Sequence, residues 1–145
     1  MATICVIYHS DTGNTEALAK LVAEGAGSVA GVEAQLVRAG GMDLDAAAAA
    51  DGYAIGSPDY FSYVAGEVKT FYDRILSDER FHGKPCVCFG THGGGAKVLA
   101  VVESLAKSCK LEQAAPGMMT KGKPGGDDAD KARGLGKAVA QAVVG

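Results

Sequence analysis

Continuous apolar runs alternate along the chain with segments in which apolar residues recur every three to four positions. The first run, Thr3–Tyr8, is partly β-branched, and it predicts a strand that is buried on both faces. The next segment carries Leu18 and Leu21 on one face, which predicts a helix, and Gly25 and Gly27 are expected to end it. The chain therefore opens with a strand, a short polar turn and a helix.

The same alternation continues through four more pairs of elements. The predicted strands are Val32–Val37, which alternates apolar and polar residues as at a sheet edge, then Gly52–Gly56, Cys86–Phe89 and a weak fifth strand over Leu111–Met119. The predicted helices run from the cap Asp43 to Ala50, over Val64–Ile75, over Val98–Cys109, and from the caps Asp127 and Asp128 to Val144.

Five alternations of strand and helix indicate an α/β domain with a parallel sheet that is covered on both faces. In such sheets ligands bind beyond the carboxyl ends of the strands. Three loops leave those ends, at Ser10–Thr15, Ser57–Tyr63 and Thr91–Gly95, and all three are rich in hydroxyls, glycine or aromatic residues. They form the candidate binding site.

The first loop has the residues of an anion-binding turn. Ser10, Thr12 and Thr15 supply hydroxyls, and Gly13 lets the backbone approach a ligand closely. The first N–H groups of the next helix have no partner within it, and the helix dipole is positive there. No Lys or Arg precedes residue 20, so a phosphate would be held by neutral donors. The alternative is an ordinary helix N-cap that binds nothing.

The second loop concentrates aromatic residues in a chain that has only five Tyr and four Phe. Tyr60, Phe61 and Tyr63 offer the flat apolar faces that a planar ring needs. The structural alternative is that these aromatics fill the core, and either Phe61 or Tyr63 is expected to plug the core beneath the helix that follows.

The third loop combines Thr91 and His92 with three glycines whose N–H groups can reach a ligand. The charge of a histidine can change near pH 6–7, so His92 is a candidate for contact with a ligand or substrate. A solvated loop histidine is the equally weighted alternative. His9, next to the first loop, is a candidate for a minor contact.

Composition limits the remaining possibilities. A chain of 145 residues fits one domain, 1–145, and a net charge of −3 gives no electrostatic footprint for nucleic acid. The four cysteines lack the spacing of a zinc site and lie mostly in apolar runs, so buried free thiols are expected, as in a reducing cytosol. No basic leader and no apolar run of about 18 residues occurs, so a soluble cytoplasmic protein without a membrane partner is expected.

Three other nucleotide or phosphate motifs fail in their context. Gly25–Ala30 has the letters of a dinucleotide fingerprint, but it ends a helix and does not follow a strand. Gly90–Gly95 has the glycine spacing of a P-loop, yet Ala96 stands where the lysine must be. A phosphoacceptor receiver domain needs acidic residues after strands one and three, where this chain has Tyr8-His9 and Gly56-Ser57.

One stretch of the chain resembles the signature of a known family. It is Val6-Ile7-Tyr8-x-Ser10-x-Thr12-Gly13-Asn14-Thr15, followed by Ala19 and Val22, and it fills every position of the flavodoxin signature. The length and the element order also fit, so the resemblance covers roughly the whole chain. It implies a three-layer αβα sandwich around a five-stranded parallel sheet of order 2-1-3-4-5, with flavin mononucleotide (FMN) as the cofactor.

The resemblance also implies which residues bind the cofactor. The phosphate falls on the first loop, at Ser10, Asp11, Thr12, Gly13, Asn14 and Thr15. The isoalloxazine ring falls against the second loop, at Ser57, Pro58, Asp59, Tyr60 and Phe61, with Tyr60 or Phe61 as the aromatic wall. The third loop contributes Thr91, His92, Gly93 and Gly94. No catalytic residue and no metal ligand is assigned.

Two functions are compatible with this resemblance. A chain of this length without insertions resembles the short-chain flavodoxins, which carry electrons between larger enzymes. The segments Gly56–Phe61 and Thr91–Gly94 look more like those of NAD(P)H-dependent quinone or FMN reductases of the WrbA type, although Ser62 stands where those proteins often have glycine. The implied partners are a redox protein, or NAD(P)H with a small acceptor, and the expected state is a monomer or a small homo-oligomer.

Overall fold

A parallel sheet forms the middle layer of the protein. The computed structural model describes all residues from Met1 to Gly145. The strands are β1 (Ala2–Tyr8), β2 (Val32–Arg38), β3 (Gly52–Pro58), β4 (Pro85–His92), β5 (Glu112–Gln113) and β6 (Met118–Lys121). Their order is β2-β1-β3-β4-β5, and β6 also pairs with β4. Every ladder is parallel.

Helices cover both faces of the sheet. They are α1 (Asn14–Gly27), α2 (Leu44–Ala48), α3 (Gly66–Ile75), α4 (Val98–Ser108) and α5 (Asp127–Val144). Helices α1 and α5 pack with one face of the sheet around a buried apolar cluster. Residues of α2, α3 and α4 form a second cluster with the other face. The expected αβα sandwich and the 2-1-3-4-5 strand order are confirmed.

The fifth strand differs from the prediction because it is interrupted. The expected single strand over Leu111–Met119 consists instead of β5 and β6, which pair with the two ends of β4. Pro116 has no N–H to give to a ladder. The N–H of Gly117 donates to Glu103 Oε2 at 3.1 Å, and a Cβ at Gly117 would lie 2.4 Å from the carbonyl oxygen of Cys88. The chain therefore leaves the ladder for a few residues and rejoins it at Met118.

The two central strands run further than predicted. In the ladder between β3 and β4, Ser57 is paired with Gly90 and Pro58 with Thr91. Residues 57, 58, 91 and 92 are consequently strand ends and not loop residues. Because these residues are paired in the sheet, their backbone is fixed, and so are the Cα positions of the side chains that border the candidate site.

Helix α1 ends at Gly27, as expected, but Gly25 lies inside it and has a packing role. A Cβ at Gly25 would lie 1.9 Å from the carbonyl oxygen of Arg133 in α5. In return, a Cβ at Gly136 would lie 1.9 Å from the carbonyl oxygen of Val22 in α1. The two glycines let the backbones of α1 and α5 touch, which explains why a helix-breaking residue is tolerated there.

The four cysteines are all free and buried, as predicted. None of the helices has the length and apolar character needed to cross a bilayer.

Replacing Gly136 by alanine should destabilise the protein. The added methyl group collides with backbone atoms of Val22 and Ala26, so α1 and α5 must separate. We expect the free energy of unfolding, measured by urea denaturation, to fall by about 1–3 kcal/mol. Gly134→Ala is the matched control, because its Cβ would meet nothing within 4 Å and alanine favours a helix by about 0.5–1 kcal/mol. A similar change in both variants would contradict the close helix contact.

Candidate functional site

The turn between β1 and α1 is built around the hydroxyl of Ser10. This buried Oγ accepts hydrogen bonds from the N–H of Gly13 at 3.1 Å and of Glu16 at 3.2 Å. Gly13 has a φ of 96°, a conformation that glycine adopts without strain. One side chain therefore fixes the shape of the whole turn and caps the helix from four residues before its first residue.

Several N–H groups of this turn remain free. The first ladder bond at the start of α1 runs from the N–H of Ala17 to the carbonyl of Gly13. The N–H groups of Asp11, Thr12, Asn14 and Thr15 donate to no group of the protein. Unpaired donors at the positive end of a helix dipole suit an anion. The predicted anion-binding turn thus has the donors that it needs.

A row of threonines joins this turn to the sheet. The hydroxyl of Thr15 lies 2.7 Å from that of Thr91, at the end of β4, and both residues are buried. Thr120 in β6 is the ladder partner of Thr91. Its hydroxyl is buried and has no hydrogen-bond partner in the protein. The end of the sheet beside the turn therefore has a buried hydroxyl group that makes no hydrogen bond within the protein.

Arg38 is a part of the site that the sequence analysis missed. It ends β2 and pairs in register with Tyr8 at the end of β1. Its guanidinium donates to the carbonyl of Ser10 at 2.9 Å and to Glu16 Oε2 at 3.3 Å, and it lies 5.3 Å from the ring centre of Tyr8. The surroundings of the turn are therefore not purely neutral, because a cation from the neighbouring strand lies against it.

Glu16 balances this cation. Its carboxylate accepts the hydroxyl hydrogen of Tyr8 at 2.9 Å, and this bond, with the nearby Lys20 and Arg38, lowers the pKa of Glu16. Glu16 is therefore ionised at neutral pH, and Arg38 is already paired. Arg38 therefore holds the turn through its bond to the carbonyl of Ser10, and Glu16 offsets its positive charge.

Two polar side chains of the second loop are occupied by the fold. The hydroxyl of Ser57 accepts the N–H of Ala65 at 2.8 Å and donates to the carbonyl of Pro58 at 2.8 Å. The carboxylate of Asp59 accepts the N–H groups of Lys97 and Val98, both at 3.0 Å, where α4 begins, and that of Ser62 at 2.8 Å. These side chains shape the loop, so a ligand there would meet the backbone and the aromatic residues instead.

The tip of the second loop turns outward. Tyr60 and Tyr63 exchange two backbone hydrogen bonds of 3.0 Å, with Phe61 and Ser62 at φ values of 57° and 64° between them. Phe61 is fully exposed and Tyr63 is 43% exposed. The expectation that one of these two aromatics plugs the core is wrong. Val64 and the neighbouring Ala65 are buried beside α3 and fill that place.

Tyr60 connects the second loop to the first. Its hydroxyl donates to Asp11 Oδ2 at 2.6 Å, and its ring meets that of His9 edge to face with 5.9 Å between the ring centres. Burial and the bond to Asp11 raise the pKa of Tyr60 to about 12. The bond from Tyr60, followed by that from His9, lowers the pKa of Asp11. At neutral pH a neutral phenol is therefore held by an ionised carboxylate.

No other part of the protein covers the three glycines of the third loop. A Cβ on Gly93, Gly94 or Gly95 would meet nothing within 4 Å, and all three glycines are exposed. His92 is partly buried, and its Nδ1 atom is buried without a hydrogen-bond partner. The carbonyl of His92 accepts the N–H of Gly122 at 2.9 Å. The segment that connects β6 to α5 therefore begins beside the site.

Side-chain and backbone contacts draw the three loops together. Tyr60 and Asp11 join the second loop to the first, and Thr15 and Thr91 join the first to the third. Asp59 joins the second loop to the start of α4, and its N–H donates to the carbonyl of Thr91 at 2.8 Å. The predicted convergence of the loops at one edge of the sheet is confirmed.

A groove lies elsewhere on the protein, away from the three loops. It has a volume of about 610 Å³ between α4 and β5, and Cys86, Glu103 and Lys107 are among its lining residues. None of the three loops lines it. Free backbone donors, aromatic faces and unpaired buried polar atoms distinguish the edge formed by the three loops. Those groups fit FMN, which carries an anionic phosphate, a polar ribityl chain and a flat apolar ring.

Comparison with protein families supports this interpretation from a different part of the chain. Residues 44–124, more than half of the sequence, match the family described as NADPH-dependent FMN reductase. The match contains the second and third loops but not the turn of residues 10–15. The signature in the turn and the family match are therefore separate indications.

Individual relatives are similar over part of their own length. A flavodoxin of Aquifex aeolicus is 38% identical over 96 residues, which are 65% of this chain and 52% of that protein. A probable NAD(P)H dehydrogenase (quinone) of Arabidopsis thaliana is 32% identical over 124 residues, or 67% of this chain and 45% of that protein. This chain thus spans about half the length of these curated relatives.

The fold has a close counterpart among solved structures. A flavodoxin from the domain Archaea superposes with a TM-score of 0.91 over 99% of both chains, at 23% sequence identity. At that identity the likeness establishes the fold, while the family match establishes the relationship. The expected FMN cofactor is confirmed by the family: the chain belongs to the NADPH-dependent FMN reductase family, with a flavodoxin-like fold.

Proposed function

We propose that FMN lies across the three loops, with its phosphate on residues 10–15 and its ring between residues 57–61 and residues 91–94, and that the protein carries electrons to and from a partner protein. One observation supports this position of the phosphate. Four N–H groups in the turn after β1 have no partner in the protein, although the Ser10 hydroxyl orders the turn around them. Ordered free donors are the requirement for binding an anion without further rearrangement.

The phosphate would be held mainly by backbone. The N–H groups of Thr12, Asn14 and Thr15 supply donors, and the exposed hydroxyl of Thr12 adds another. Hydrogen bonds to a charged acceptor are stronger than those to a neutral one. Arg38 contributes indirectly, because its bond to the carbonyl of Ser10 fixes the turn.

The ring would be held between an aromatic loop and a glycine loop. Tyr60 is held by Asp11 and His9, so it supplies a wall of fixed orientation. Phe61 at the exposed tip could cover the ring or meet a partner protein. The N–H groups of Gly93 and Gly94 are reachable because no side chain covers them. Bound in this way, FMN supplies the redox chemistry, and the chain orients it and limits its contact with water.

Electron carriage is supported by the surface around the site. Phe61 and Tyr63 expose aromatic area at its edge, which is the kind of surface that a protein partner covers. The likeness to flavodoxins in fold and sequence points the same way. The four buried thiols are compatible with a reducing cytoplasm, where we place the protein.

Thr12→Val should weaken FMN and leave riboflavin almost unaffected. Valine keeps the volume of the side chain and removes a hydroxyl that would donate to the phosphate, at a cost of about 1–3 kcal/mol in binding free energy. The quenching of flavin fluorescence on binding measures both affinities. Riboflavin has no phosphate, so its affinity reports only on the ring.

Thr3→Val is the matched control, because Thr3 lies near the amino end of β1, at the opposite edge of the sheet. It should change neither affinity. Equal weakening of FMN and riboflavin by Thr12→Val would show that the turn is structural and that the phosphate binds elsewhere.

An NAD(P)H-dependent reductase is the second candidate, and a cluster of lysines favours it. Lys97, Lys121 and Lys123 are exposed beside the third loop, and none of them is in an ion pair. Lys121 is the ladder partner of His92. Free positive charge at the edge of a flavin site would attract a polyanionic electron donor such as NADPH. The family match points to the same donor.

Anaerobic reduction separates the two candidates. A carrier that receives electrons from a protein should keep its oxidised flavin absorbance when NADPH is added, and it should lose that absorbance during a titration with dithionite. A reductase should be bleached by NADPH within its catalytic turnover time. Bleaching by NADPH at a rate that saturates with its concentration would contradict the carrier proposal.

A further inference from the structure

His9 lies between two carboxylates that belong to different elements. Its Nδ1 atom is 2.5 Å from Glu67 Oε1, in the first turn of α3. Its Nε2 atom is 3.2 Å from Asp11 Oδ1, in the turn after β1. A carboxylate only accepts hydrogen bonds, and a neutral imidazole has a single N–H. Only the doubly protonated ring can therefore donate to both neighbours at once.

This pair of contacts extends into the proposed cofactor site. Asp11 uses its other oxygen to accept the hydroxyl hydrogen of Tyr60 at 2.6 Å, and the ring of Tyr60 meets the edge of His9. The chain of contacts runs from Glu67 through His9 and Asp11 to Tyr60. It links the start of α3, the turn that would hold the phosphate, and the aromatic wall that would hold the ring.

The charges around the turn make the protonation of His9 important. The groups facing His9 are Asp11, Glu67 and Tyr60, and beyond Asp11 lie Glu16 and Arg38. Three of these five are carboxylates, and Arg38 is the one permanent cation. A phosphate dianion brought to this turn is repelled by the carboxylates. A second positive charge on His9, only 15% exposed, offsets part of that repulsion.

We propose that His9, in its doubly protonated form, is a positioning residue for the cofactor, and that binding of the FMN phosphate is coupled to the proton on His9. The proposal rests on the placement of the phosphate at residues 10–15. When His9 loses its second proton, one of its two carboxylate contacts is lost, together with the positive charge. Asp11 and Tyr60 are then held less firmly, and the turn becomes more negative.

The coupling predicts a specific pH profile. The dissociation constant of FMN is measured between pH 5.5 and 9 for the wild type and for His9→Gln, which has no charge at any of these pH values. The ratio of the two constants removes the titration of the free phosphate, because both proteins bind the same ligand. We expect the variant to bind FMN about tenfold more weakly at the acidic end, with the ratio falling toward one at the alkaline end.

His82→Gln is the matched control, because His82 follows α3 and precedes the amino end of β4, far from the turn. It should give a ratio near one at every pH. A second measurement needs no variant. The titration of the His9 ring, followed by NMR in the wild type, should move to higher pH when FMN is added and move less with riboflavin.

A constant ratio for His9→Gln, or a His9 titration that FMN leaves unchanged, overturns the coupling. If FMN still binds more weakly to Thr12→Val in that case, the placement of the phosphate survives and only the role of His9 fails. If FMN affinity is indifferent to Thr12→Val and to His9→Gln alike, both proposals fail.

Discussion

The hydroxyl of Ser10 is the interaction on which the site depends. By accepting the N–H groups of Gly13 and Glu16, it closes the turn after β1 and starts α1 without using the other donors of the turn. Four N–H groups are left without a hydrogen-bond partner in the protein, in a backbone that is already ordered. The entropy of arranging them is therefore lost on folding and not on binding, which is what a preorganised anion site requires.

Contacts between the loops extend this order to the rest of the edge. Thr15 with Thr91, and Tyr60 with Asp11, attach the turn to β4 and to the aromatic loop. The charged groups around the turn are paired with one another: Arg38 is paired with Glu16, and His9 lies between Asp11 and Glu67. Ion pairs thus surround the turn, and the donors that it offers to a ligand are mainly uncharged N–H and hydroxyl groups.

What could be predicted from the sequence follows the range of the interactions involved. The turn of residues 10–15 is local, so its hydroxyls, its glycine and the helix after it are enough to predict an anion site. Arg38 reaches Ser10 only because β2 lies beside β1, which hydropathy alone does not reveal. The contact between His9 and Glu67 spans 58 residues, and the outward tip at Phe61 depends on two positive φ angles in residues other than glycine. None of these leaves a local pattern.

An amide NMR titration of the protein with FMN and, separately, with riboflavin tests directly whether the turn after β1 binds the phosphate. If it does, FMN shifts the backbone N–H signals of Thr12, Asn14 and Thr15 more than any others, and riboflavin leaves those three nearly unmoved while both flavins shift Gly93 and Gly94. The contrary result would be three unmoved signals in the turn, with the largest shifts clustered around the groove between α4 and β5.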